Sequence, residues 1–326
     1  MRKGEEKMNE EQQKDQIIWG YLLHLGYNMW REKDAFKSAE YTTASDVLRL
    51  DKDVWDELIE KMAVSGANTV VIDLGEGVKY ESHPELAVEG SWSVDLLRSE
   101  LAKIRKLGIN PIPKLNFSTT HDEWLGDYSR AVSSKKYYEV CRNLIQEVIE
   151  IFDTPDFFHI GMDEETIQHH RYHNYTVLRK GEYWWKDFYF YVNEIEKKGV
   201  RSWIWSDYIW NHEEEFLKKM PKSVLQSNWY YGGFPARNET EENYIRAYEN
   251  LAKNGFDQVP TGSNWSSGCD LNFVRTVEYF RDNIDTENLK GFMQAPWKPT
   301  IHPTKYRHYE AIEHVGQGRE IYSKRR

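Results

Sequence analysis

The stretch Phe157-Phe158-His159-Ile160-Gly161-Met162-Asp163-Glu164-Glu165 carries the residue types needed to move protons. An apolar run that ends in Gly-x-Asp-Glu drops two adjacent carboxylates where a strand gives way to a loop. Neighbours along a strand point to opposite faces, so both acids enter one cleft only beyond the strand end. Two carboxylates packed together repel, which raises one pKa. A raised carboxyl serves as a general acid near neutral pH while its ionised neighbour works electrostatically. Asp163 and Glu164 are the candidate catalytic residues on this reasoning. The plain alternative is an acidic helix start favoured by the helix dipole. What gathers around the pair decides between the two.

The elements that must position the pair are legible from punctuation. Helical stretches end in glycine and a strand follows at once: Gly66 before Asn68–Leu74, Gly108 before Ile109–Leu115, Gly199 before Ser202–Ser206, Gly255 before Phe256–Pro260, and Gly291 before Phe292–Ala295. Glycine just past a helix takes the left-handed conformation cheaply. The helices between show 3.6-residue spacing, with Val54, Trp55, Leu58, Ile59 and Met62 on one face and Leu97, Leu101 and Ile104 on another. Ile17–His24, Phe157–Gly161 and Val224–Asn228 complete eight strands, near 17, 68, 109, 157, 202, 224, 256 and 291. The last helix is expected near 305–315. Strands alternating with helices imply parallel units, and eight of them imply an α/β fold of the closed (β/α)8 TIM-barrel type, with the site at the C-terminal strand ends. A doubly wound open sheet is the competing arrangement. Residues 17–326 read as one catalytic barrel, and the charged, face-less residues 1–16 as a disordered lead-in.

The strand ends collect a distinctive set. They carry His24, Tyr27 and Asn28; Asp73 and Glu76; Lys114 and Asn116 with His121 beyond; His159 before the acid pair; Trp205 and Asp207; Trp229 and Tyr230; Asn264 and Trp265; and Trp297. Carboxylates interleaved with indoles describe a sugar site, because pyranose C–H faces stack on rings while hydroxyls bond to acids and amides. The expected substrate-binding residues are Tyr27, Asn28, Asp73, Glu76, His121, His159, Trp205, Asp207, Trp229, Tyr230, Trp265 and Trp297. Composition agrees: the 326 residues include 13 Trp, 21 Tyr and 13 Phe. A net charge of −10 argues against nucleic acid or an anionic membrane as partner. No apolar run approaches the ~18 residues of a membrane span. The two cysteines, Cys141 and Cys269, make no disulfide framework. No secretory signal is visible, so the chain reads as soluble, cytoplasmic, or periplasmic or secreted if a leader was trimmed.

His159-Ile160-Gly161-Met162-Asp163-Glu164 resembles the His-x-Gly-Gly-Asp-Glu hallmark of the family 20 glycoside hydrolases, the β-N-acetylhexosaminidases, departing only at Met162. Asn68 at the second strand, Pro84-Glu85-Leu86 after it, Gly108-Ile109-Asn110-Pro111-Ile112-Pro113 and Gly291-Phe292-Met293-Gln294-Ala295-Pro296-Trp297 are similar to the family as well, spanning about residues 17–315. The resemblance implies an exo-acting, retaining, substrate-assisted mechanism. Glu164 would be the acid and base, and Asp163 would orient the 2-acetamido group whose oxygen attacks to form an oxazolinium. The substrate would be an oligosaccharide or glycoconjugate, with no cofactor and no metal.

The sugar grip departs from the family. His24 and Tyr27 stand where the family has Asp and Arg, Asp73-Leu74-Gly75-Glu76 where it has His-x-x-Asp, and Lys114-Leu115-Asn116 where it has Glu-Ile-Asp. His121 stands near the family's His. Asn264-Trp265 replaces Tyr-x-Asp, and Trp297-Lys298 replaces Trp-x-Glu. Losing a bidentate Arg changes which hydroxyls are read. The tract His169-His170-Arg171-Tyr172-His173 has no HExxH partner motif, so it reads as cleft lining or surface rather than a zinc site. GxGxxG and GxxxxGK[ST] are absent, which leaves nucleotide cofactors without support. Two rival readings remain: a barrel glycosidase with a protein nucleophile, Asp207 or Asp73, and a carbohydrate-binding pseudoenzyme.

Overall fold

The computed structural model describes residues 17–33 and 41–324; the reading of residues 1–16 as a disordered lead-in falls outside them. Eight parallel strands alternate with eight α-helices among the described residues. The strands are β1 (Ile18–His24), β2 (Thr69–Asp73), β3 (Asn110–Lys114), β4 (Phe157–His159), β5 (Arg201–Trp205), β6 (Leu225–Ser227), β7 (Thr261–Gly262) and β8 (Gly291–Gln294). Each is followed by its helix: α1 (Lys52–Ser65), α2 (Val94–Lys106), α3 (Lys135–Ile151), α4 (Glu182–Glu196), α5 (Glu213–Lys219), α6 (Glu239–Lys253), α7 (Asn272–Asn283) and α8 (Lys305–Ser323).

The sheet runs β6-β5-β4-β3-β2-β1-β8-β7. Bridges from Gln226 to Gln258 and from Trp229 to Thr261 join its ends, so the sheet closes as a TIM barrel. The expected seventh strand over Phe256–Pro260 is shifted and broken. Gln258 bridges both neighbours and the ladder resumes at Thr261, because Pro260 between them has no N–H to donate.

Strand alternation sorts the core into two layers. Leu22, Val71, Ile112, Trp203, Trp205, Leu225, Val259 and Met293 fill the barrel interior, while Tyr21, Leu23, Val70 and Ile72 face outward onto the helices. The helix faces named from spacing are those buried: Val54, Trp55, Leu58, Ile59 and Met62 on α1, and Leu97, Leu101 and Ile104 on α2. Side-chain caps fix three helix starts: Ser93 accepts from Leu96 N, Ser134 from Tyr137 N, and Asn238 from Glu241 N. The aromatic run Trp184–Tyr191 is helical and buries Trp184, Trp185, Phe188 and Tyr191. No helix among the described residues is long and apolar enough to cross a membrane.

Candidate active site

Register sets the floor of the site. His24 pairs with Asp73, Asp73 with Lys114, and Lys114 with His159, so four polar side chains stand level on β1 to β4. Lys114 donates to Asp73 Oδ2, and His24 Nδ1 lies 3.6 Å from that oxygen. Burial, aided by the Lys114 cation, pushes the His24 and His159 imidazoles well below their ordinary pKa and keeps them neutral. His159 Nδ1 accepts the Gly161 N–H at 3.0 Å, so its proton sits on Nε2.

Above this floor the chain bends sharply. Gly161, Met162 and Glu164 take positive φ of 70°, 70° and 56°. Left-handed backbone costs a residue with a Cβ about 1–2 kcal/mol, and such strain concentrates at functional sites. Met162, the one departure from the hallmark, occupies a conformation that suits glycine and buries its side chain to 2% exposure. At Gly161 a Cβ would lie 1.9 Å from Asn116 Oδ1. That close approach lets Asn116 clamp the turn: its Oδ1 accepts from Met162 N at 3.2 Å and Ser118 N at 3.0 Å, while its Nδ2 donates to Asp163 Oδ1 at 2.8 Å. Asp207 Oδ2 accepts the Glu164 N–H at 2.9 Å. Glu165 turns the other way, into an ion pair with buried Arg179, which also donates to Phe117 O at 2.6 Å.

The two carboxylates share one histidine. His121 Nε2 lies 3.4 Å from Asp163 Oδ2 and 3.2 Å from Glu164 Oε2, and His169 Nε2 lies 3.3 Å from Glu164 Oε1. The sequence argument expects repulsion to raise one member of the pair. Instead His121 holds Asp163 below its ordinary pKa, and His121 with His169 holds Glu164 well below the usual carboxylate range, both against the opposing pull of burial. The same two acids raise His121 to about 10 although burial opposes it. Burial raises other carboxyls instead: Asp73 and Glu76 lie above their ordinary values, and Asp207 is pushed up to about 8 by burial and by the charge of Asp163.

Aromatic rings wall the mouth. Trp297 lies 5.7 Å from His24 and 6.3 Å from Trp30, and its Nε1 donates to Tyr231 Oη at 2.9 Å. Tyr27 stacks edge-on against Trp30 at 4.8 Å and donates to Trp297 O at 2.9 Å. Trp229 lies 5.0 Å from Tyr231, and its Nε1 is 3.4 Å from Asp207 Oδ1. Trp205 is fully buried, 4.5 Å from the His159 ring and 5.7 Å from Trp297. It plugs the barrel axis rather than offering a free face.

Four more expected residues, besides Trp205, do other work. Tyr230 points away from the mouth, its phenol donating to Glu241 Oε2 at 2.8 Å, because alternation puts Trp229 and Tyr231 on one side and Tyr230 on the other. Glu76 spends its carboxylate on the backbone N–H groups of Tyr27, at 2.7 Å, and Asn28, at 3.0 Å. Asn28 exchanges side-chain bonds of 2.9 Å with the Ser45 backbone, latching the loop after β1. Trp265 is 49% exposed on the loop after β7 and takes no part in the ring contacts of the mouth. Trp30 and Tyr231, which are not among the expected residues, stand with the rings of the mouth. The period-two rule applied from Trp229 would have found Tyr231, and the aromatic density after β1 would have flagged Trp30.

No protein-family model and no curated protein matches the chain. Solved structures do. A family 20 exo-β-N-acetylglucosaminidase from Vibrio harveyi, in complex with N-acetylglucosamine, is 15% identical with a TM-score of 0.62, covering 91% of this chain and 54% of that one. The fold is similar to the barrel of this family 20 glycoside hydrolase. A β-N-acetylhexosaminidase from Bacteroides fragilis matches at 12% identity and TM-score 0.63, over 92% of this chain and 65% of that one. Dispersin B matches at 14% and 0.57, over 82% and 94%. This chain spans about half the length of the Vibrio harveyi enzyme. At these identities the likeness to family 20 is one of fold.

Proposed function

We propose that the protein is a glycoside hydrolase that removes terminal β-linked N-acetylhexosamine from an oligosaccharide or glycoconjugate, with retention and by substrate assistance. The observation that carries this reading is the Asp163–Glu164 pair spanned by His121 at the mouth of a family 20 barrel. Asp163, held ionised, accepts the N–H of the 2-acetamido group and steadies the positive charge of the oxazolinium. The acetamido oxygen bonds to the anomeric carbon as the glycosidic bond breaks, and the leaving oxygen takes a proton from Glu164. Glu164 then removes a proton from the water that opens the oxazolinium, and two inversions give retention.

Glu164 is ionised in the resting site, so its proton must arrive with substrate. The source at hand is the His121 imidazolium 3.2 Å away. A sugar covering the mouth removes water from Glu164, which raises its proton affinity and draws the proton across. The wall of Trp30, Trp229, Tyr231 and Trp297 is suited to stacking a pyranose. A protein nucleophile fits less well, since Asp207 at about 8 carries a proton at neutral pH and Asp73 is bound by Lys114.

The test compares aryl β-N-acetylglucosaminide, β-N-acetylgalactosaminide and β-glucoside with wild type, Glu164→Gln and Asp163→Asn. The acetamido sugars should be cleaved and the glucoside spared. With a poor leaving group, Glu164→Gln should lose about 10²-fold or more in rate. Preference for the glucoside would sink the acetamido mechanism. Sugar binding without turnover would establish a pseudoenzyme.

A further inference from the structure

We propose that the acid pair is also a binding site for a borderline divalent transition ion, Zn²⁺ or a close neighbour, with His121 Nε2, Asp163 Oδ2 and Glu164 Oε2 as its three protein ligands. These ligand-type atoms lie within 4.8 Å of one another, and His121 Nε2 stands 3.4 Å and 3.2 Å from the two carboxylate oxygens. Two ligand atoms each 2.0–2.1 Å from a tetrahedral ion sit roughly 3.3–3.4 Å apart, so those two edges already have the dimensions of a zinc site. One imidazole with two carboxylates is a donor set suited to zinc, whereas magnesium and calcium prefer oxygen ligands alone.

The two carboxylate ligands have outer partners, whereas His121 Nδ1 is buried without a hydrogen bond. Asn116 Nδ2 anchors Asp163 through Oδ1, which leaves Oδ2 for the ion. His169 Nε2 holds Glu164 Oε1 at 3.3 Å, so Oε2 is the oxygen turned inward. Thr166 Oγ1 fixes His169 in turn, 2.8 Å from its Nδ1. Such outer partners orient first ligands and tune affinity. Three protein ligands leave the fourth tetrahedral position for water or a ligand, as in open zinc sites. The sequence shows no spacing motif because His121 and Glu164 lie 43 residues apart on different loops. An ion seated there occupies the groups assigned to the proton, so occupancy and turnover exclude one another.

The test is calorimetric titration of ZnCl₂ and, separately, MgCl₂ into the full chain. One saturable Zn²⁺ site is expected, with no Mg²⁺ heat. His121→Gln and Glu164→Gln should each abolish the Zn²⁺ heat, and circular dichroism melts of both variants show that the barrel is intact. His169→Asn should weaken binding about 10- to 100-fold, the scale of a lost outer-shell partner. His302→Ala, on an exposed residue paired with Asp53, should leave the isotherm unchanged. The proposal is overturned if Zn²⁺ gives no saturable binding or if Mg²⁺ binds equally. It is also overturned if binding survives both Gln variants or follows His170 and His173, whose rings lie 5.2 Å apart.

Discussion

A carboxylate that must deliver a proton near neutral pH needs either a raised pKa of its own or a donor within reach. Glu164 has the second arrangement. Its two oxygens face two imidazoles, and the proton is held on His121 between both acids. The cause is geometric: an imidazolium placed between two carboxylates outweighs their mutual repulsion and the cost of burying all three. Replacing His121 by Gln keeps a hydrogen-bonding group but removes the stored proton. In kcat/KM profiles for an aryl N-acetylglucosaminide, wild type should hold its activity into the alkaline range, until His121 titrates. His121→Gln should lose activity at lower pH, and an unmoved alkaline limb would show that His121 does not supply the proton. The sequence names Asp163, Glu164 and His121 as candidates and expects one acid of the pair to be raised, whereas both are lowered. Adjacency in the chain showed which acids are neighbours; only the fold showed what stands between them.

At the level of elements, β4 and its turn do the positioning. The strand stops at His159 and the next residues enter left-handed backbone, so Asp163 and Glu164 leave the alternation of the strand together. Gly161→Ala should strain a φ of 70° and push a methyl onto Asn116. A stability loss of about 1–2 kcal/mol is expected from the backbone alone. The larger effect should be on rate, on the order of 10²-fold, because Asn116 is displaced from Asp163. Denaturant unfolding paired with steady-state kinetics measures both, and a variant as active as wild type would show that the Asn116 clamp is dispensable. The strands and helix faces were legible because hydrophobic periodicity and glycine stops report local geometry. The direction of Tyr230, the latch of Asn28 on Ser45 and the use of Glu76 as a backbone anchor were not, since each depends on a loop path that periodicity does not encode.

For the whole molecule, the buried ionisable groups should shape stability against pH. His24, His159 and His308 have lowered pKa values, His308 to about 4. The unfolded chain takes up protons on these histidines below about 6.5 while the fold cannot, so stability should fall as pH drops from about 6.5 towards 4. His121, raised to about 10, stabilises fully below 6.5, and that contribution is lost as pH rises from there to about 10. Asp207, raised to about 8, keeps a proton that the unfolded chain releases, so it also favours the fold less as pH rises from about 4 to 8. On the acid side it offsets the histidines together with Asp73, Glu76, Asp122 and Glu165, which burial also raises. Thermal midpoints should therefore fall between pH 7 and 10, with a flatter alkaline arm in His121→Gln. A midpoint that climbs steadily to pH 10 would contradict this account.

The sequence by itself determined eight apolar strands alternating with one-faced helices and glycine stops, a pattern that a closed barrel and an open doubly wound sheet both satisfy; the bridges joining β6 to β7 decided for the barrel. The sequence also determined that two adjacent carboxylates lie at a strand end among aromatic residues. Tertiary structure alone decided which groups surround them, that His121 bridges the pair, that burial raises Asp207 rather than either member of the pair, and that Trp30, Trp229, Tyr231 and Trp297 rather than Trp205 line the mouth. The physical reason is range. Periodicity and turn chemistry act over a few residues, whereas a pKa is set by every charge within several ångströms, and here those charges come from loops 43 residues apart in the chain.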